Sequence, residues 1–277
     1  MWRVISVFTR YRRDENGRLR PRALVYTQAE HGILPESIDP EAYKIVKRLK
    51  DAGHQAYIVG GAVRDLLIGK EPKDFDLVTD AYPPKIKKLF RNSRIIGKRF
   101  RLVHITSAGT IYEVSTFRST KNGSIGNEFG TIDEDARRRD FTFNALYYDP
   151  TDRSLLDFTG GFKDLRAKKL KPIIPLGTIF KEDPVRILRG LKYSVTGGFA
   201  IPVSLKLAMK RDAALLLDVS PSRLTEEFFK ILGSGMAAPI FRALAEHRLL
   251  EFFMPSVWSL MRSDLEYSRL FLADLQS

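Results

Sequence analysis

Two aspartates two residues apart, Asp74 and Asp76, follow closely on a glycine pair, Gly60-Gly61. A period of two in an extended run, Asp74 to Val78, would set both carboxylates on one face of a strand. Paired carboxylates beside a phosphate cradle are what Mg²⁺ requires, since it takes one or two carboxylates and completes its shell with phosphate oxygens and water. The cradle is the turn at Gly60 and Gly61. A short apolar run, Ala56 to Val59, reads as a buried strand that stops where the backbone can bend sharply and approach a ligand. The helix expected over Ala62–Ile68, closed by Gly69, would turn its free N–H groups and positive dipole end toward an anion. Arg64, in its first turn, can fork onto phosphate oxygens, or can simply pair with Asp65. Gly-Gly before a helix is often only a turn, and Asp-x-Asp is often a solvated strand edge. The strand–turn–helix–strand order joins the two features in one short unit.

Further strands are expected at Phe75–Thr79, Arg101–Thr106 and Thr110–Phe117. Glu113, in the last of these, is a candidate third carboxylate, or an ordinary strand residue. Helices are expected at Pro84–Phe90 and Asp133–Arg138, the latter opened by a capping box of Thr131 and Glu134. Asp39-Pro40 marks an earlier helix start, and Gly53 its end. From about Phe162 the pattern turns helical: Pro184–Tyr193, Val203–Lys210, Pro221–Leu232, Ala237–Glu246 and Trp258–Leu275.

These segments resemble the nucleotidyltransferase superfamily in its bacterial class II branch, which holds the CCA-adding tRNA nucleotidyltransferases and the bacterial poly(A) polymerases. Gly60-Gly61-Ala62-Val63-Arg64-Asp65 and Lys73-Asp74-Phe75-Asp76 carry the resemblance first. Tyr112 to Arg118, Glu134 to Ala145 and Glu182 to Arg189 continue it in the family's order. It implies an α/β nucleotidyltransferase (polymerase beta-like) head domain followed by an all-α neck and body. The expected organisation is a basic N-terminal arm at 1–38, the head at 39–160, a helical neck at 161–235 that selects the base, and the start of a truncated body at 236–277.

The resemblance also implies roles. Asp74 and Asp76 hold two Mg²⁺ ions, with Glu113 as a possible third catalytic carboxylate. Gly60, Gly61 and Arg64 hold the triphosphate of ATP, which is a substrate. Arg139 contacts nucleotide phosphates, while Asp140 and Asn144 lie near the ribose, or else serve as local caps. Three successive arginines, Arg137 to Arg139, point in different directions on a helix, so only one or two can reach a given ligand.

Asp183, Arg186 and Arg189 are spaced by three after a helix start at Pro184, placing an acceptor and two donors on one side. Adenine and cytosine both present a donor beside an acceptor in the order such a pair reads, whereas guanine and uracil reverse it. A wrong base would leave buried polar groups unpaired. The CCA-adding members carry a further Arg where this chain has Lys192. The segments Leu89–Asn92, Ile95–Ile105 and Phe129-Gly130-Thr131 resemble the polymerase subgroup more closely. The implied activity is addition of AMP from ATP to RNA 3′ ends, of mRNA or tRNA, with CCA or A addition to tRNA as the alternative. A non-catalytic RNA-binding protein on the same scaffold is a third reading, which the intact Asp74 and Asp76 oppose.

Composition agrees with a polyanionic partner. Among 277 residues, Lys plus Arg is 46 and Asp plus Glu is 33, a net charge of +13. The first 38 residues are rich in arginine (Arg3, Arg10, Arg12, Arg13, Arg18, Arg20 and Arg22), so the arm could touch an RNA backbone, or be a poorly ordered terminus. The absence of cysteine rules out disulfides and Cys-ligated zinc. Apolar Val4 to Phe8 is too short for a secretory core, and no apolar run reaches the length of a membrane span. A cytoplasmic protein that avoids membranes is expected, its oligomeric state open with a monomer favoured.

Overall fold

The computed structural model describes residues 8–13, 19–97, 102–120 and 128–275. The chain divides into two compact units, Met1–Lys163 and Asp164–Ser277.

The first unit is built on a nine-stranded sheet. Its strands are β1 (Phe8–Arg13), β2 (Leu19–Tyr26), β3 (Ala56–Val59), β4 (Asp76–Thr79), β5 (Ser93–Ile96), β6 (Leu102–Ser107), β7 (Thr110–Thr116), β8 (Leu146–Asp149) and β9 (Ser154–Asp157). Their spatial order is β1-β2-β9-β8-β3-β4-β7-β6-β5. All neighbours run antiparallel except β4 and β7, which are parallel. Such a pair needs a crossover connection, here the stretch carrying β5 and β6. Ile58, Val59, Leu77, Val78 and Val114 are fully or almost fully buried at the centre.

The α-helices, in chain order, are α1 (Gln28–His31), α2 (Pro40–Asp51), α3 (Gly61–Leu67), α4 (Pro83–Leu89), α5 (Ile132–Arg137), α6 (Gly161–Arg166), α7 (Ile179–Glu182), α8 (Val185–Gly197), α9 (Val203–Asp212), α10 (Pro221–Leu232), α11 (Ala237–Glu246), α12 (Leu250–Phe253), α13 (Pro255–Ser263) and α14 (Leu265–Asp274). In α2 the Asp39 carboxylate accepts the Ala42 N–H and Pro40 takes the first turn, as the capping signals predict. Its apolar stripe, Ala42, Ile45, Val46 and Leu49, is buried. Thr131 and Glu134 form the expected capping box on α5.

Several expectations need correction. The stretch expected to be a separate basic arm at 1–38 contains two sheet strands: β1 pairs with β2, and Leu24, Val25 and Tyr26 pair with Asp157, Leu156 and Leu155. Ladder bonds and the apolar residues of β2 outweigh the arginine content in deciding local structure. Arg3 and Arg18 lie outside the described residues. No division appears at 235, since 164–277 form one unit. The helix expected over Trp258–Leu275 is two helices, because Asp264 leaves helical geometry and its carboxylate caps α14 through the Tyr267 N–H. Of the polymerase-like segment, Lys98, Arg99, Phe100 and Arg101 lie outside the described residues. Among the described residues no helix is long and apolar enough to cross a membrane.

Candidate functional site

Glycine is required where β3 ends. Gly60 has φ +75°, a conformation a side chain strains. A Cβ there would lie 3.8 Å from both Asp76 Oδ2 and Arg139 Nη1, so a carboxylate, a guanidinium and this backbone converge. The sheet explains the convergence. Val59 pairs with Asp76 across β3 and β4, and Leu77 pairs with Val114 across β4 and β7. Asp76 and Glu113 each stand one residue before that parallel pair, so their side chains emerge side by side on the same face. Both line a cavity of about 310 Å³, with Arg118, Asp135, Arg138 and Arg139 among the other walls.

Asp74 is placed differently. β4 begins at Asp76, one residue later than expected, and Asp74 falls in the preceding loop. It is exposed and lines a second hollow of about 790 Å³ with Asp39, Phe75 and Tyr112. Asp76 and Glu113 are therefore the carboxylates the sheet sets together. Glu113 Oε1 lies 3.3 Å from His104 Nε2 on the adjoining strand. Among the described residues no group of three or more His, Cys, Asp and Glu gathers closely enough to hold a metal ion by protein ligands alone. A donor set of one or two exposed carboxylates still suits Mg²⁺, which keeps water or substrate oxygens in its other positions.

The same cavity carries a guanidinium cluster of Arg118, Arg138 and Arg139. Asp135 organises it. Its Oδ2 accepts from Arg139 Nη2 at 3.0 Å and from the Tyr147 hydroxyl at 2.7 Å. Its Oδ1 accepts the Arg118 backbone N–H at 3.2 Å. Arg139 also donates from Nε to the Tyr147 hydroxyl. Burial alone would lower the Arg139 pKa, but Tyr147 and Asp135 outweigh it and raise it, so the positive charge is fixed in the cluster. Burial, reinforced by Asp135, holds the Tyr147 hydroxyl well above its ordinary range. At Arg118 burial dominates and lowers the pKa, with Arg139 adding to the effect and Asp135 opposing it. The three consecutive arginines do separate, but not as three positions of a helix: α5 ends at Arg137, Arg138 caps it, and Arg139 lies beyond. Arg137 is exposed and paired with Asp133 at 3.1 Å, while Arg138 and Arg139 face the cavity.

Arg64, Asn144 and Asp140 form a second chain of contacts. Arg64 donates twice to Asp65 Oδ1, at 2.9 and 2.8 Å, and from Nη1 to Asn144 Oδ1 at 3.3 Å. Asn144 Nδ2 donates to Asp140 Oδ1, which also accepts the Phe141 N–H. Asp140 and Asn144 are buried, and the contacts they make here are local ones within the protein. Gly61 stands at the first position of α3, where a Cβ would meet Arg64 Nη2 at 3.7 Å.

In the second unit, Asp183 lies outside α8, capping the end of α7 in extended geometry. Its two oxygens both accept from Arg223 Nη2 of α10 at 2.9 Å. Arg186 is buried, donates to the Ile179 carbonyl at 3.2 Å, and comes only to 4.0 Å from Asp183. The expected pairing on one helix side is thus looser than spacing suggested, because α8 begins only at Val185, leaving Asp183 two residues outside it. Arg189 Nη2 donates to the Tyr193 hydroxyl, and its Nη1 lies 4.0 Å from Glu227. Lys192, at the position where a further arginine is common in the CCA-adding members, donates to buried Glu227 at 2.9 Å.

Sequence reading gave no role to Asp135, Tyr147, Arg118 or Arg138. A signal existed for three of them: Asp135 and Arg138 lie inside the run Glu134 to Ala145, and Arg118 closes the run Tyr112 to Arg118. Tyr147 looks like any core aromatic until its hydroxyl partners are seen.

Comparison with known proteins agrees with this architecture. Residues 56–171 match the Poly A polymerase head domain, and residues 198–261 match the probable RNA and SrmB-binding site of polymerase A. Poly(A) polymerase I of Escherichia coli is 40% identical over 254 residues, covering 86% of this chain and 55% of the relative. The CCA-adding enzyme of Bacillus subtilis is 32% identical over 222 residues, covering 78% and 56%. The crystal structure of Bacillus stearothermophilus CCA-adding enzyme in complex with CTP superposes with a TM-score of 0.70 at 33% identity, covering 78% of this chain and 54% of that one. The chain spans about half the length of the curated relatives it matches. It belongs to the class II nucleotidyltransferase family that contains the bacterial poly(A) polymerases and the CCA-adding enzymes.

Proposed function

We propose that this protein is a template-independent RNA 3′-end adenylyltransferase that transfers AMP from ATP and releases pyrophosphate. The observation that carries the reading is the cavity that Asp76 and Glu113 line together with Arg118, Arg138 and Arg139. A site lined by both carboxylates and guanidinium groups matches the two charges of the reaction: a cation-assisted hydroxyl and a polyphosphate leaving group. In that reaction the RNA 3′-oxygen bonds to the α-phosphorus of ATP, the α–β phosphoanhydride bond breaks, pyrophosphate departs, and the hydroxyl proton leaves to solvent.

Asp76, with Glu113 beside it and Asp74 from the preceding loop, would hold Mg²⁺. When bound, the metal supplies charge neutralisation and a more acidic 3′-hydroxyl. Arg139 keeps a fixed charge toward phosphate, Gly60 lets the backbone approach, and Gly61 and Arg64 flank the triphosphate. Arg64 can share its guanidinium between Asp65 and a phosphate oxygen, because five donors exceed the needs of one carboxylate. Asp140 and Asn144 approach the ribose. Asp183 and Arg186 read the base, with Arg189 in support. For Asp183 this requires that part of its acceptor capacity be shared with Arg223. RNA 3′ ends, of mRNA or tRNA, are the proposed partners.

CCA or A addition to tRNA is the second reading, favoured by the structural likeness to a CCA-adding enzyme bound to CTP. The higher identity to poly(A) polymerase I, 40% against 32%, ranks adenylation first. Incubation with Mg²⁺, 5′-labelled RNA and each nucleotide alone tests both. Extension with ATP on generic RNA supports the first; ordered C, C, A addition on a tRNA lacking its end moves the assignment to the second. No extension with any nucleotide would sink both.

A further inference from the structure

Tyr82 and Phe129 are large aromatic side chains left 53% and 47% exposed, and they meet each other edge to face with ring centroids 4.6 Å apart. Both are held on fixed backbone. The carbonyl of Tyr82 accepts from Lys85 and Ile86 at the start of α4, and Pro83 follows it. Phe129 bridges Arg118 in antiparallel register. That bridge is flanked by two main-chain bonds, Ser119 N–H to the Glu128 carbonyl at 2.7 Å and Gly130 N–H to the Phe117 carbonyl at 2.9 Å. The approach is so close that a Cβ on Gly130 would fall 2.6 Å from the Ser119 backbone. The fold thus commits a glycine and a tight strand contact to presenting an exposed phenyl ring.

The location gives the ring pair its partner. Phe129 is cross-strand from Arg118, whose side chain reaches the cavity of Asp76 and Glu113. Along β7 and its extension, Glu113 and Arg118 are five residues apart, about 16 Å at 3.3 Å per residue. That is the reach of a few nucleotides. Exposed Lys85 and Lys88 follow Tyr82 on α4, and the whole chain carries +13. Rigid aromatic faces beside cations are how single strands are held without sequence preference, since every base has a π-face and every linkage a negative charge.

We propose that Tyr82 and Phe129 form a stacking platform for a base of single-stranded RNA, a few nucleotides upstream of the reacting 3′ end. The proposal rests on the RNA 3′-end reading above. It accounts for a feature the nucleotide site does not use, and it sets the platform outside the catalytic groups. Removing it weakens the grip on RNA and leaves the chemistry intact.

The test compares the full chain with the Tyr82→Ala/Phe129→Ala variant, using a short oligoadenylate and a set of the same oligomer with a single abasic site moved along its 3′ region. The variant is expected to fold normally, because both rings are exposed, and thermal melting checks this. Its Kd for the oligomer and its KM for RNA should rise about tenfold. The kcat and the KM for ATP should stay unchanged. One abasic position should weaken wild-type binding about as much as the variant is weakened, and should cost the variant nothing further. Phe129→Trp should retain binding, and its fluorescence should be quenched by the oligomer. Unchanged Kd and KM in the double variant, a rise in the KM for ATP instead, or abasic losses identical in both proteins would each overturn the platform. If no form of the protein transfers AMP, the polymerase reading fails, and the binding cycle still decides the platform.

Discussion

The two units place their charges in opposite ways. In the first, the carboxylates proposed to hold metal, Asp74, Asp76 and Glu113, are exposed, whereas the cationic Arg139 is anchored by buried Asp135 and Tyr147. In the second, Arg186, Lys192 and Glu227 are buried, and the acceptor Asp183 is held by the half-exposed Arg223. Exposed carboxylates can meet a cation from solvent with little rearrangement. A clamped acceptor has to share its existing contacts before it can read a base. The first arrangement suits steep catalytic dependence on single side chains, and the second suits graded selectivity.

Asp76→Ala should separate these behaviours most sharply. Loss of a metal-holding carboxylate removes several kcal/mol of transition-state stabilisation, so single-turnover AMP transfer should fall about a thousandfold or more. The thermal midpoint should barely move, because Asp76 is exposed. Near-normal turnover in Mg²⁺ would place the chemistry elsewhere. Asp74→Ala is the companion measurement, since Asp74 stands in a loop bordering the second hollow. A loss as large as that of Asp76→Ala would mean that the loop delivers Asp74 to the same metal.

Asp135→Ala tests the anchor of Arg139. It strips a part-buried guanidinium and a buried hydroxyl of a shared acceptor; breaking a fully buried pair from one side costs about 3–5 kcal/mol, which sets the upper end here. Urea denaturation should register that loss in the first unit, and Asp135→Asn should recover part of it. A change below about 1 kcal/mol would show that Arg139 is positioned without this carboxylate.

Arg186→Ala addresses the second unit. Discrimination of ATP over GTP should fall by about 1–3 kcal/mol, the scale of a lost buried hydrogen bond to a charged group. The assay is single-turnover extension with each nucleotide alone. Unchanged discrimination would assign Arg186 to packing, through its bond to the Ile179 carbonyl. ATP should exceed CTP in the intact protein.

The local signals that survived folding were those with a backbone mechanism. Asp39-Pro40 and the Thr131/Glu134 box opened helices where expected, and Gly60 took the left-handed turn that the strand stop implied. What was missed depended on pairing between distant segments. Leu146–Asp149 and Ser154–Asp157 become strands because β8 pairs with β3 and β9 on either side. The arginine-rich start becomes sheet because β2 finds β9. Within the site, residue types were legible but their grouping was not. The Asp-x-Asp spacing favoured Asp74 with Asp76, whereas the β4–β7 register sets Asp76 beside Glu113. Deleting residues 1–38 to test RNA affinity would also remove two strands, so arginine substitutions are the cleaner probe of salt dependence there.

The smallest expected effect concerns pH and again contrasts the units. His31 is buried in the first unit, 6% exposed. Its Nδ1 accepts the Ile33 N–H at 3.0 Å, and its Nε2 faces the Arg153 carbonyl at 3.1 Å. That pattern fixes the neutral ring with its proton on Nε2. Burial pushes the pKa below 6.5, with the Arg153 carbonyl and Glu30 opposing the shift. The unfolded chain therefore takes up the proton first as pH falls. The stability contributed by neutral His31 is complete above about pH 6.5 and declines as pH drops toward the folded-state value. Protonation at Nδ1 would also turn the acceptor for Ile33 into a donor. In the second unit, the pKa of His247 is lowered by burial and by Lys206, but its ring is only partly covered. Urea midpoints measured between pH 7.5 and 5.5 should fall with acidity. His31→Gln should flatten that decline more than His247→Gln, at the cost of some stability at pH 7.5. An equal slope in wild type and His31→Gln would show that the neutral ring beside Arg153 is not what couples folding of the first unit to pH.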